Sequence, residues 1–102
     1  MAKKDISDLA SYRSINAILS KNGFTCVRHS THTINYVAHG MSGFWKNNET
    51  GNLVYVSTDF MSDSWGNTLV RSASHDKDFV GGHNNWTHNK AELLEIAKSV
   101  TK

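Results

Sequence analysis

The spacing of apolar residues predicts a helix near each end of the chain. The first apolar stripe recurs at intervals of three and four residues and comprises Leu9, Tyr12, Ile15, Ile18 and Leu19. Asn22-Gly23 follows it and predicts a left-handed helix end. The second stripe comprises Leu93, Ile96, Ala97 and Val100. Asn89 and Glu92 precede this stripe with the spacing of a capping box, so we expect a helix to close the chain.

Between the helices, runs of β-branched and aromatic residues predict strands. The three clearest runs are residues 24–28, 33–39 and 53–57. We expect the first two to pair antiparallel across a polar corner at residues 29–32. Residues 59–88 are interpreted as an irregular insert with one or two edge strands, at residues 68–72 and 77–80. Turn-forming residues separate these short runs.

The order of the elements predicts an α+β two-layer sandwich. An antiparallel sheet of three to five strands is flanked by an N-terminal and a C-terminal helix, in the order α-β-β-β-(β)-α. Both helices are expected to cover one face of the sheet, which leaves the other face to solvent or to a partner. A length of 102 residues fits a single domain spanning residues 1–102.

Composition and charge narrow the function classes. The formal charge of +2 excludes a polyacidic nucleic-acid mimic and is compatible with a polyanionic partner. One cysteine excludes an internal disulfide, and no run of about 20 apolar residues predicts a membrane span. We therefore expect a cytoplasmic protein without a membrane contact or a cofactor. Cys26 lies in a predicted strand and is interpreted as a buried structural thiol.

The segment from residue 20 to residue 36 carries a resemblance to a known family. It combines a helix end at Lys21-Asn22-Gly23-Phe24, Val27-Arg28, the corner Ser30-Thr31-His32 and Ile34-Asn35-Tyr36. With the later Val-Tyr-Val strand, this order resembles the HicA family of toxin mRNA interferases over residues 14–58. The family has Gly-Ser-His where this chain has Ser30-Thr31-His32. The corner in this chain is one residue shorter than the corner in the family. Residues 59–88 have no counterpart in the family.

The resemblance implies a fold similar to double-stranded-RNA-binding domains, RNA cleavage and silencing by a cognate antitoxin. It assigns the catalytic role to His32, since a histidine titrates near neutral pH and RNA cleavage needs proton transfer at the ribose 2′-hydroxyl. The alternative is an exposed or structural corner histidine. No metal is expected, because His75, His83 and His88 lack the spacing and the cysteine partners of a tetrahedral zinc site.

Basic and aromatic residues supply the expected RNA contacts. Four residues are predicted to contact RNA, namely Lys21, Arg28, His29 and Lys46. Arg71 is a further phosphate contact by the same reasoning, whereas ordinary surface charge is the alternative for all the basic residues. Tyr36 and Tyr55 are interpreted as core residues in preference to stacking platforms.

A second hypothesis is a protein-binding inhibitor or accessory factor without enzymatic activity, including a toxin-like fold that has lost its activity. Isolated tryptophans among Asn, Gly and Ser often anchor protein partners. Trp45, Trp65 and Trp86 lie in such surroundings and are the predicted partner contacts. The alternative is that each tryptophan packs in a small satellite core beneath a long loop. The sequence does not indicate an oligomeric state.

Overall fold

The computed structural model describes residues 12–34, 37–59, 68–78, 81–87 and 90–102, with only the backbone for residues 12–13, 31–34, 37–41 and 59. Within these ranges helix α1 (Tyr12–Ser20) opens the chain and helix α2 (Lys90–Val100) closes it. The strands between them are β1 (Phe24–Ile34), β2 (Val37–Asn47), β3 (Leu53–Asp59), β4 (Thr68–Ala73) and β5 (Asn85–Thr87). They form one antiparallel sheet in the order β1-β2-β3-β4-β5. The predicted α+β architecture is confirmed.

Both helices pack on the same side of the sheet, which we call the helix face. Ile15 and Leu19 of α1 and Leu93 and Ala97 of α2 are fully buried there. They join the sheet residues Phe24, Trp45, Val54, Val56 and Val70 in one hydrophobic cluster. The apolar stripes predicted the buried sides of both helices, and neither described helix is long and apolar enough to cross a membrane.

Trp45 belongs to this core, so the prediction of an exposed partner contact at Trp45 is wrong. Its indole is fully buried on the helix face, and its Nε1 donates a hydrogen bond to Asn16 Oδ1 of α1 at 3.0 Å. A Cβ at Gly43 would lie 2.8 Å from two carbons of the Trp45 ring. Gly43 therefore leaves the space that lets the indole lie flat along β2.

The first strand is longer than the sequence predicted. β1 runs without interruption through residues 29–32, where His29 pairs with Gly43 and His32 with Gly40 of β2. The predicted corner at residues 29–32 is therefore wrong. β1 is an edge strand, so polar side chains on both of its faces reach water, and register shifts near Val27 and after His32 interrupt its pairing.

The opposite side of the sheet is crossed by residues 74–78 and 81–84, which we call the strap, and we call this side the strap face. Arg28, Phe44, Tyr55 and Arg71 lie side by side on β1 to β4. Asp76 of the strap reaches Arg28, and Arg71 donates a hydrogen bond to the carbonyl of Asp78. The strap therefore passes above Phe44 and Tyr55. This accounts for their 1% and 8% exposure on a face without a described helix.

Asp78 shapes the strap. Its carboxylate accepts hydrogen bonds from the Ser74 amide and hydroxyl and from the Gly81 amide. These contacts hold Ser74, Asp78 and Gly81 close together, and residues 77–78 are not in a strand, so the predicted strand at residues 77–80 is wrong for that part. Residues 79–80 lie outside the described part of the structure. β4 and β5 both lie within residues 59–88 and extend the sheet, with β4 inside it and β5 at its edge.

Candidate nucleic-acid interface

The four residues predicted to contact RNA lie on different surfaces. Arg28 and Lys46 are exposed on the strap face, whereas His29 lies opposite Gly43 on the helix side of β1. Lys21 follows α1 and lines an open groove of about 480 Å³ with Ser14, Ala17, Ile18 and Lys90. The structure thus brings Arg28 and Lys46 together and separates Lys21 from them.

Arg28 is an exposed cation on the strap face. Its side chain is 45% exposed, and its Nε lies 3.6 Å from Asp76 Oδ2. That separation is an ion pair but exceeds the length of a good hydrogen bond. Among the described residues, Arg28 makes no side-chain hydrogen bond, so the planar fork of the guanidinium is open to an incoming anion. Arginine binds phosphates and carboxylates through two parallel N–H donors of this fork.

A small cavity lies beside Arg28, where β1 pairs with β2. Its volume is about 100 Å³, and its lining residues are Arg28, His29, Ser30, Ser42, Gly43 and Phe44. Ser30 and Ser42 pair directly across the two strands, so two hydroxyl side chains share this part of the strap face. The cavity therefore combines an arginine with neutral hydrogen-bonding groups.

Lys46 adds a second cation to the same surface. It lies two residues from Phe44 on β2 and pairs with Thr25, so it is on the strap face next to the Arg28 position. Lys46 is exposed. We define the Arg28 surface as Arg28, Ser30 and Lys46 together with Ser42, which lines the cavity but is itself only 3% exposed. Lys77 follows Asp76 in the strap and is also exposed beside it.

His32 lies on the same strand as this surface. Its backbone pairs with Gly40, and its position is four residues beyond Arg28, which in a regular strand is the same face. The side chain of His32 lies outside the described part of the structure. Its catalytic role stays a prediction. The backbone of His32 lies in a paired strand and not in a corner.

Arg71 is not available to a phosphate, so that prediction is wrong. Its side chain is 2% exposed and lies beneath the strap. The guanidinium donates to the Ser72 carbonyl at 3.0 Å and to the Asp78 carbonyl at 2.6 Å, and its Cζ lies 4.3 Å from the centre of the Tyr55 ring. Arg71 therefore fixes the strap to the sheet. Tyr55 is buried, as predicted, although under the strap and not under the helices.

The remaining predicted residues are exposed, half-buried or outside the described part of the structure. Trp86 is 63% exposed on edge strand β5, whereas Trp65, Tyr36 and His88 lie outside the described residues. Cys26 is half-buried beside the core, and its Sγ lies 3.7 Å from the Arg28 carbonyl. In the described ranges, no three His, Cys, Asp or Glu side chains lie close enough to hold a metal ion.

A larger groove of about 820 Å³ lies at the other end of the sheet. The last residues of the chain form one wall, because Thr50 and Asn52 donate hydrogen bonds to the Thr101 carbonyl and Asn47 donates to the Thr101 hydroxyl. Lys98 and Lys102 line this groove, together with the carboxylate of Glu49. It therefore combines two lysines with one carboxylate, as Arg28 and Lys46 are combined with Asp76 on the strap face.

Sequence reasoning missed Asp76 and Ser42 at the Arg28 surface. Asp76 lies in a polar loop that contains no motif, and Ser42 lies in the segment Gly40-Met41-Ser42-Gly43, whose glycines predict a break between strands and not a paired strand. Only strand register and the path of the strap bring them to Arg28. Comparisons with protein families, curated proteins and solved structures find no match to this chain.

Proposed function

We propose that this chain binds RNA through the Arg28 surface. The observation that carries the proposal is the half-exposed Arg28 guanidinium, whose fork is open beside a cavity lined by Ser30 and Ser42. A guanidinium pairs with a phosphate through two N–H donors, and serine hydroxyls donate to phosphate oxygens or accept from ribose hydroxyls. Lys46 supplies a second positive charge on the same face.

The resemblance to HicA mRNA interferases supports RNA as the polyanion. Arg28 belongs to the segment that carries the resemblance, and Lys46 lies within its wider span of residues 14–58. The proposal includes a cytoplasmic location, because a single cysteine fits a reducing compartment. A cognate antitoxin remains the partner that the resemblance implies.

Titration of a fluorescent single-stranded RNA by anisotropy tests the proposal. Arg28→Ala is expected to weaken binding about tenfold, the effect of losing one charge-assisted contact. Lys46→Ala is expected to weaken it about threefold, because a flexible lysine makes a weaker contact. Lys98→Ala is the matched control, since it removes an exposed positive charge from α2 on the other side of the sheet. Equal losses in all three variants would contradict a localised site.

The same samples test the predicted catalysis by His32. RNA incubated with the wild-type protein in EDTA is expected to be cleaved, because an acid–base histidine needs no metal. His32→Ala is expected to retain binding and lose cleavage. RNA that stays intact with the wild-type protein would contradict the predicted catalysis. The chain would then be a toxin-like fold that binds RNA but has lost its activity.

A second candidate function rests on Trp86. A tryptophan that is 63% exposed on an edge strand is an unusual apolar surface, and such residues dominate many protein interfaces. Capture of a stoichiometric protein partner is expected to fail with Trp86→Ala and to persist with Lys98→Ala. Capture that persists with Trp86→Ala would contradict this candidate.

A further inference from the structure

The ion pair between Arg28 and Asp76 links the edge strand β1 to the strap. Sheet order separates β1 from β4, after which the strap begins, by two strands. Asp76 is the one carboxylate within 4.0 Å of the Arg28 guanidinium among the described residues. A carboxylate of the protein itself thus stands beside the cation that carries the proposed function.

The pair is loose. Both side chains are 45% exposed, and the Nε to Oδ2 distance of 3.6 Å leaves no direct hydrogen bond. Exposed ion pairs of this kind contribute little to stability, because solvent screens the attraction and two side chains must be ordered. The contact is therefore easily replaced by a stronger anion.

The strap does not depend on this pair. Its Asp78 carboxylate is held by Ser74 and Gly81, and Arg71 is bonded to the Asp78 carbonyl. Asp76 lies between Ser74 and Asp78, and the adjacent His75 Nδ1 accepts a hydrogen bond from the Lys77 amide. The Asp76 side chain can thus leave Arg28 while both anchors of the strap stay in place.

The size of the cavity limits what enters beside Arg28. Its volume of about 100 Å³ is below the roughly 300 Å³ at which small-molecule sites begin. A single phosphate group is compact and charged, whereas a stacked nucleotide needs an open aromatic surface. The two aromatic side chains nearest in the strand register, Phe44 and Tyr55, are buried.

We propose that Asp76 occupies the place of an RNA phosphate, so that it competes with the ligand for Arg28. The site then binds the phosphate backbone and does not distinguish bases. This inference rests on the proposed function and deepens it. Carboxylate and phosphate are the two anions that the guanidinium fork binds in the same way, so one displaces the other at Arg28.

Affinity of Asp76→Asn for single-stranded RNA and for inorganic tripolyphosphate tests the inference. We expect both ligands to bind about threefold more tightly to this variant than to the wild-type protein, because the competing charge of a weak exposed pair is gone. Glu95→Gln is the matched control, since it removes an exposed negative charge from α2. Asp76→Glu, which keeps the competitor, is expected to bind like the wild-type protein. Equal affinities for Asp76→Asn and Glu95→Gln would overturn the inference.

The two ligands separate this inference from the proposed function. Tighter tripolyphosphate binding by Asp76→Asn, lost again in the Arg28→Ala/Asp76→Asn double variant, supports the competition even when RNA fails to bind. RNA binding that requires Arg28 but does not change in Asp76→Asn supports the proposed function and overturns the competition. Amide exchange at Ser74 and Gly81 shows whether the strap stays folded in each variant. Loss of that protection in Asp76→Asn would also overturn the inference, since the pair would then hold the strap.

Discussion

At the scale of single residues, Gly43 decides where Trp45 lies. The indole is the largest fully buried side chain in the described part of the chain, and it crosses the place where a side chain at position 43 would begin. The carbonyl of Arg28 lies 3.1 Å from the same point, so the backbone of β1 also closes this space. A methyl group at position 43 must therefore displace either the indole or the edge strand.

Gly43→Ala is expected to destabilise the protein by about 1–3 kcal/mol, the usual cost of overpacking a core. In a Trp45→Phe background the same change is expected to cost much less, because the shorter ring leaves the space open. Urea unfolding of the four proteins measures the coupling between the two positions. An equal cost in both backgrounds would contradict the steric account.

Residue types near Trp45 predicted an exposed side chain, whereas the indole is fully buried. Trp45 follows Gly43-Phe44 and precedes Lys46-Asn47, and this short segment has no periodic pattern that marks the indole as core. Its burial follows from the register of β2, which turns Trp45 toward α1 and Phe44 toward the strap. Arg71 was misassigned for a similar reason, since its burial depends on a loop that folds back over the sheet.

At the scale of elements, the strap gives the sheet two covered faces. The helices bury one face, and residues 74–78 and 81–84 cross the middle of the other. Its conformation depends on Asp78 and on Gly82, whose φ of 79° is left-handed and whose Cβ would lie 2.6 Å from the Ser72 carbonyl. A side chain at position 82 would therefore be strained and would clash with β4.

Asp78→Ala is expected to loosen the strap and to lower the free energy of unfolding by about 2 kcal/mol, because three hydrogen bonds to one carboxylate are lost. Ser74→Ala removes only the hydroxyl contact and is expected to cost less than 1 kcal/mol. Urea unfolding measures both changes. Amide exchange at Gly81 that is as slow in Asp78→Ala as in the wild-type protein would contradict the anchoring role of Asp78.

Elements whose signals are local were predictable. The β-branched and aromatic run Leu53–Ser57 marks β3, and the helical spacing of apolar residues from Leu93 to Val100 marks α2. The edge strand β1 carries no such signal in its second half, since residues 29–33 are all polar and an edge strand tolerates polar residues. The path of the strap depends on contacts between residues about 50 positions apart in the sequence, such as Arg28 and Asp76, and no pattern along the chain encodes that pairing.

At the scale of the whole molecule, positive charge is spread over several surfaces. Arg28, Lys46 and Lys77 lie on or beside the strap face, and other exposed lysines lie on or next to the helices. A net charge of +2 gives weak general attraction to a polyanion, so binding should depend on a few local contacts and fall with added salt. We therefore expect RNA to occupy the Arg28 surface and not the surfaces that carry the other lysines.

An NMR titration of the isotope-labelled protein with single-stranded RNA tests that claim most directly. We expect the largest amide shifts at residues 28–30, 42–46 and 74–78, with small shifts along the two helices. Arg28→Ala should abolish this pattern without disturbing the amides of the core. Shifts concentrated at Lys21 and Lys90, or at Lys98 and Lys102, would contradict the assignment of RNA binding to the Arg28 surface.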